Sequence, residues 1–198
     1  MKRFEEMKFT IPTLKGISAK NIEEHLKLYS GYVKNANLVI EKVSTLSADL
    51  EKNAYEIGEL QRRFGFEFDG MRNHETYFKS LEGGAKEVSE KSELHAAIIE
   101  EFGSFEAWLG LFKQIAKTRG IGWAVLYFDP ISKRLMNAWL DEQHLGQLNG
   151  AAPVLMVDMW EHSYVADYFP SGKAQYIADF FENLNWSVIE NNYREAIK

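Results

Sequence analysis

Asp158 and His162 stand four residues apart, directly after the apolar run 153–157. A run that short and rich in β-branched residues predicts a buried strand. Asp158 then sits at the strand's carboxyl end, with His162 one turn into a following helix, so a carboxylate and an imidazole can converge on one point. Alone, such a pair more often makes a simple hydrogen bond. Two upstream histidines change the reading. His25 falls on the stripe Ile22, His25, Tyr29, Tyr32, Ala36, Val39, and His74 on the stripe Met71, His74, Phe78, Leu81. Both stripes advance in steps of three and four, the spacing of one buried helix face. A single histidine on such a face is more simply a satisfied core residue. Three neutral imidazoles and one carboxylate together suit a redox-active first-row metal or zinc.

The elements that must carry these groups can be read in order. Ser18 is a candidate N-cap for a long helix, with Ile17 placed to staple against Ile22. A turn follows at 44–49. Shorter helices are expected over 50–64 and 71–81, separated by Gly65 and Gly70, and the polar run 85–91 after Gly83-Gly84 is the linker candidate. A helix pattern begins at Ser92 and is closed by Gly103, and Ser104 caps the next helix. Strands are expected over 123–128, 134–140 and 153–157 in an antiparallel sheet, then helices from Asp158 to about Phe169, over 175–184 and over 187–197.

Composition narrows the chemistry. The chain has 198 residues, 45% of them hydrophobic, enough for a sizeable core. It contains no cysteine, which excludes disulfides, thiolate metal sites, iron-sulfur clusters and a cysteine nucleophile. Any metal would therefore have nitrogen and oxygen ligands. No stretch reaches the roughly 20 apolar residues of a membrane span, and the first ten residues do not form a signal-peptide core, so a cytoplasmic protein is expected. The net charge of −6, with no dense basic block, argues against nucleic acid as a partner.

The order His25, Asn73-His74 and Asp158-Met159-Trp160-Glu161-His162-Ser163-Tyr164, with Tyr32-Val33-Lys34-Asn35, Phe102-Gly103-Ser104-Phe105, Gly122-Trp123 and Asn185-Trp186, resembles the iron/manganese superoxide dismutases over nearly the whole chain. The last ligand motif is the specific one. The resemblance implies an α+β fold: an N-terminal helical hairpin domain, 1–86, followed by an α/β domain, 87–198, with a three-stranded antiparallel sheet. It implies one iron or manganese ion per subunit, with iron slightly preferred, bound by His25, His74, Asp158 and His162 and acting on superoxide. Tyr32 would be the gate residue, Trp123 and Trp160 walls of the site, and Glu161 a residue of a homodimer interface, with Tyr164 beside it. In the family, one residue hydrogen-bonds the metal-bound solvent. His144 resembles its histidine form and Gln143 its glutamine form, and counting back from Pro153 favours His144. His95 matches no functional position.

The chain departs from the family pattern in the first helix. Tyr29 stands where the family has a second histidine, and Tyr32 follows His25 by seven residues where eight are usual. A hydroxyl contact between Tyr29 and Tyr164 is the expected substitute for the family's interface bond. Other classes fit less well. A di-iron bundle would need Glu-x-x-His pairs, and a zinc hydrolase would need a more open site than four protein ligands leave. A metal-free binding or assembly protein on the same fold is the remaining alternative.

Overall fold

The computed structural model describes residues 2–198. Two long helices, α1 (Ala19–Leu46) and α2 (Ala54–Lys79), pack along each other. The Ser18 hydroxyl accepts from Asn21 N at 3.1 Å and starts α1 as its spacing predicted. The segment before it runs across the pair, joined by Phe4 N to Asn37 Oδ1 at 2.8 Å, Met7 N to Tyr29 Oη at 2.8 Å and Thr10 N to Glu82 Oε1 at 2.7 Å.

The expected break in α2 is absent: Gly65 and Gly70 are both helical. Each glycine costs about 1 kcal/mol relative to alanine inside a helix, so packing must offset it. At Gly70 the reason is visible, because a Cβ there would lie 2.5 Å from Tyr32 Cδ1. The glycine admits the Tyr32 ring against the backbone of α2 and does not end the helix.

Next come α3 (Glu93–Phe102) and α4 (Phe105–Ala116), each capped by a serine, the second as expected: Ser92 Oγ accepts from His95 N and Ser104 Oγ from Ala107 N. Strands β1 (Gly122–Asp129), β2 (Arg134–Asp141) and β3 (Ala152–Asp158) form an antiparallel sheet of order β2-β1-β3. The central strand is buried from Gly122 to Phe128, with α4 against β1 and β2 and the closing helix α6 (Trp186–Ala196) against β3. Between β3 and α6 lies α5 (Lys173–Asn183). In register, Trp123 pairs with Asp158, so the end of β1 sits beside the end of β3.

The helix expected after Asp158 does not form. A single 3-10 turn, Glu161–Ser163, stands there, followed by irregular turns. The polar side chains capture the local backbone instead: Asp158 Oδ1 accepts from Trp160 N at 2.8 Å, and Ser163 Oγ donates to Asp158 O at 2.9 Å or Trp160 O at 2.7 Å. Such bonds compete with helix propagation. Among the described residues no helix is long and apolar enough to cross a membrane.

The two kinds of helical glycine make a paired test. Gly58 has open space where its Cβ would be, so Gly58→Ala should stabilise by up to about 1 kcal/mol in urea unfolding. Gly70→Ala should instead destabilise, because forcing atoms into a packed contact costs about 1–3 kcal/mol, which exceeds the propensity gain. Equal stabilisation by both would show that the Tyr32 contact does not constrain the fold.

Candidate metal centre

α1 brings His25, α2 brings His74, and the end of β3 with its 3-10 turn brings Asp158 and His162. One ligand atom from each lies within 4.8 Å of all the others. His25 Nε2 and His162 Nε2 are each 3.1 Å from Asp158 Oδ2, and His74 Nε2 is 3.5 Å from it. His25, His74 and Asp158 are fully buried, while the His162 side chain is 21% exposed.

The proton inventory favours a cation at the centre. His74 Nδ1 lies 2.6 Å from Gly70 O, a carbonyl that can only accept, so Nδ1 carries the proton and Nε2 presents a lone pair. That Nε2 is buried without a hydrogen-bond partner, and it faces the carboxylate oxygen Oδ2, another acceptor. Two acceptors facing across 3.5 Å are unfavourable unless positive charge lies between them. Protonating His74 does not provide it, because burial, reinforced by His25, lowers its pKa to about 3. His25 is also lowered by burial. Burial opposes the charge on Asp158, yet contacts from His162 and His25 hold its carboxyl well below the usual carboxylate range. Two buried imidazoles kept neutral, a third imidazole and an ionised carboxylate are the donor set of a nitrogen- and oxygen-bound transition metal.

Around the four, Trp123 meets the His74 ring edge-on at 5.1 Å, and Trp160 stacks on His162 at 5.8 Å. Tyr32 lies 5.1 Å from the His74 ring despite the shortened spacing from His25. In the loop after β2 the two candidates, His144 and Gln143, face differently. Gln143 is the buried residue: its Oε1 accepts from Trp123 Nε1 at 2.9 Å and its Nε2 donates to Tyr32 Oη at 3.0 Å. The His144 ring packs against Phe66 at 5.7 Å, and its Nδ1 has no partner. The cause is the backbone: Glu142 has φ of +54°, and Asp141 bridges to Leu145, so the chain turns at once and only one of two adjacent side chains faces inward.

Within the chain, Tyr29 and Tyr164 have other partners. The Tyr29 hydroxyl accepts from Met7 N and donates to Glu75 Oε1 at 3.1 Å, whereas Tyr164 stacks on Tyr176 at 5.4 Å. Glu161 is exposed, and His95 stacks on Phe105 away from the four. Sequence reading missed Gly70, Phe66, Tyr127 and Gln147. Of these, Tyr127 carried a signal, since a hydroxyl in an otherwise apolar central strand requires a partner.

Residues 90–192 match the model of the iron/manganese superoxide dismutases, C-terminal domain. The chain belongs to the iron/manganese superoxide dismutase family. It is similar to the superoxide dismutase [Fe] of Aquifex pyrophilus, 36% identical over 191 residues that cover 93% of this chain and 88% of that protein. It is similar too to the superoxide dismutase [Fe] of Tetrahymena pyriformis, 33% identical over 179 residues, 88% and 90% of the two chains. The superoxide dismutase [Mn] of Nocardia asteroides is 33% identical over 176 residues, 87% and 82%.

His74→Ala should lose iron or manganese on dialysis and reduce the thermal midpoint of the metal-loaded protein to that of the metal-free one, since ligand bound only to the folded state adds to its stability. Stoichiometric metal and an unchanged midpoint would remove His74 from the set.

Proposed function

We propose that this protein is a superoxide dismutase, converting two superoxide ions and two protons into dioxygen and hydrogen peroxide. The observation that carries the reading is the unpartnered His74 Nε2 facing Asp158 Oδ2 among three imidazoles. His25, His74, Asp158 and His162 are the proposed ligands of one iron or manganese ion per chain. That ion would supply one-electron chemistry by changing its oxidation state. The ion would also join the proposed domains, 1–86 and 87–198, since ligands come from both.

The surrounding residues have separable tasks. Gly70 O holds the His74 ring through Nδ1, and Trp160 N holds Asp158 through Oδ1, so Nε2 and Oδ2 keep their direction. Trp123 and Trp160 exclude water. The Trp123 indole only donates, which turns the Gln143 amide so that its NH2 faces Tyr32. Tyr32 Oη therefore accepts, and its own O–H is left to donate elsewhere. Burial, and secondarily the Asp158 charge, raises the Tyr32 pKa well above the usual phenol range. The proton stays on Oη at neutral pH, where Tyr32 can serve the protonation that peroxide formation requires. Gln143 takes the place first expected for His144.

Superoxide is an anion, and local positive charge raises its encounter rate. Arg63 stands 3.5 Å over the Phe66 ring, which lies 5.9 Å from Tyr32. Arg63 is paired with Glu67 at 3.0 Å, as Lys27 is with Glu23 and Glu24, while Arg194 faces Glu93.

The reading is tested with protein purified without added metal and with samples loaded separately with iron and manganese. Bound metal and catalysed loss of superoxide are expected. Relatives named for each metal match at similar identity, so turnover per ion decides the preference. Failure of both loaded forms would leave a metal-free binding or assembly protein on this fold.

A homodimer through the surface bearing exposed Glu161 and neighbouring Tyr164 is proposed with it. Sedimentation should give twice the chain mass, and Glu161→Ala should weaken association. A fully active monomer would remove both residues from that role.

A further inference from the structure

We propose that Tyr127 and Gln147 are positioning residues for this reaction, acting through Asn73 to hold Gln143, and hence the Tyr32 hydroxyl, in place. The inference rests on the dismutase reading for its consequence but on hydrogen bonds for its existence. Asn73 Nδ2 donates to Gln143 O at 2.9 Å, Gln147 Nε2 donates to Asn73 Oδ1 at 3.3 Å, and the Tyr127 hydroxyl donates to Gln147 Oε1. A backbone carbonyl can only accept, so Asn73 must present its NH2 to Gln143. Its Oδ1 then faces Gln147, which must answer with its own NH2, and the remaining Gln147 oxygen requires a donor. Tyr127 is the group that provides it. Reversing any one amide would set two like groups against each other along the chain.

The relay joins the sheet, a helix and the connection between two strands. Tyr127 is 1% exposed on the central strand, at the irregularity in its pairing with β3. Gln143 and Gln147 belong to the connection between β2 and β3, which contains no regular element. Asn73 is on α2, directly before His74, and is buried. The loop carrying the buried glutamine is thus fastened to the sheet and to the helix that bears a candidate ligand. Groups that act on a bound substrate lose rate when displaced by about 1 Å, and a loop amide held only by Trp123 and Tyr32 lacks that restraint.

The test uses Tyr127→Phe, which removes one hydroxyl, Gln147→Ala, and the double variant, each loaded with the active metal. A zinc-loaded set of the same proteins allows the Trp123 indole N–H to be followed by NMR hydrogen exchange. Either single variant should keep its metal, turn over about tenfold more slowly, the scale on which lost outer partners act at metal sites, show an altered pH profile, and exchange the Trp123 N–H faster than wild type. The double variant should be no worse than the weaker single, because one relay is broken in all three. Loss of turnover without faster exchange, faster exchange without loss of turnover, or a change confined to thermal stability would each overturn the proposal. A wild-type protein inactive with either metal would overturn the dismutase reading instead, and the exchange rates would still decide whether the relay holds Gln143.

Discussion

A carboxylate with no exposure to water is the constraint on which the rest of the structure depends. Moving an ionised carboxyl out of water costs several kcal/mol even after the protein relaxes, so Asp158 can be buried only among partners that favour its charge. Trp160 N takes one oxygen, and the three imidazole nitrogens gather at the other. Meeting that demand requires two helices and a strand end to arrive at one place. It also determines what the neighbouring side chains must be: aromatic walls that keep water out, and amides whose bonds are all accounted for.

The spacing of α1 and α2 follows from the same demand. His25 and His74 can approach one carboxylate oxygen only if their helices lie close, and the Tyr32 ring has to fit between them as well. A glycine at 70 resolves the conflict by removing the atom that would collide with the ring, while its carbonyl orients the imidazole four residues later. One residue therefore serves both the close packing and the tautomer. The Tyr29 hydroxyl, meanwhile, is occupied by Glu75 and by the extended amino-terminal segment, whose Arg72-flanked aromatic contacts cover the same face of the helices.

Much of this was legible in the residues. Ser18 and Ser104 cap the helices they were expected to start, the three strands lie within two residues of their expected bounds, and the histidine stripes and the Asp158–His162 pair converge. These features are governed by local chemistry and periodicity, which a linear reading can see. The misreadings share a different cause. Gly70 looked like a helix breaker because its partner, Tyr32, lies in another helix. Which of His144 and Gln143 turns inward cannot be counted from residue spacing, because the left-handed turn at Glu142, a residue that rarely adopts it, leaves no mark there. The segment after Asp158 was read as a helix because its side-chain bonds to its own backbone could not be weighed against helix propagation. Each error lies where a tertiary contact or an unusual dihedral angle overrides local preference.

The placement of His25 and Asp158, 133 residues apart in the chain, bears on the order of events during folding. Contacts between such distant residues form only after a large loop has closed, and the entropic cost of closure is met before the contact returns anything. His25 and His74 can adopt their helices early, yet neither meets the carboxylate until the last strand of the sheet has paired. The complete donor set is therefore a late product of folding, and an ion present earlier encounters scattered imidazoles. The four groups cannot hold an ion as a unit before the sheet closes, because until then they belong to separate parts of the chain.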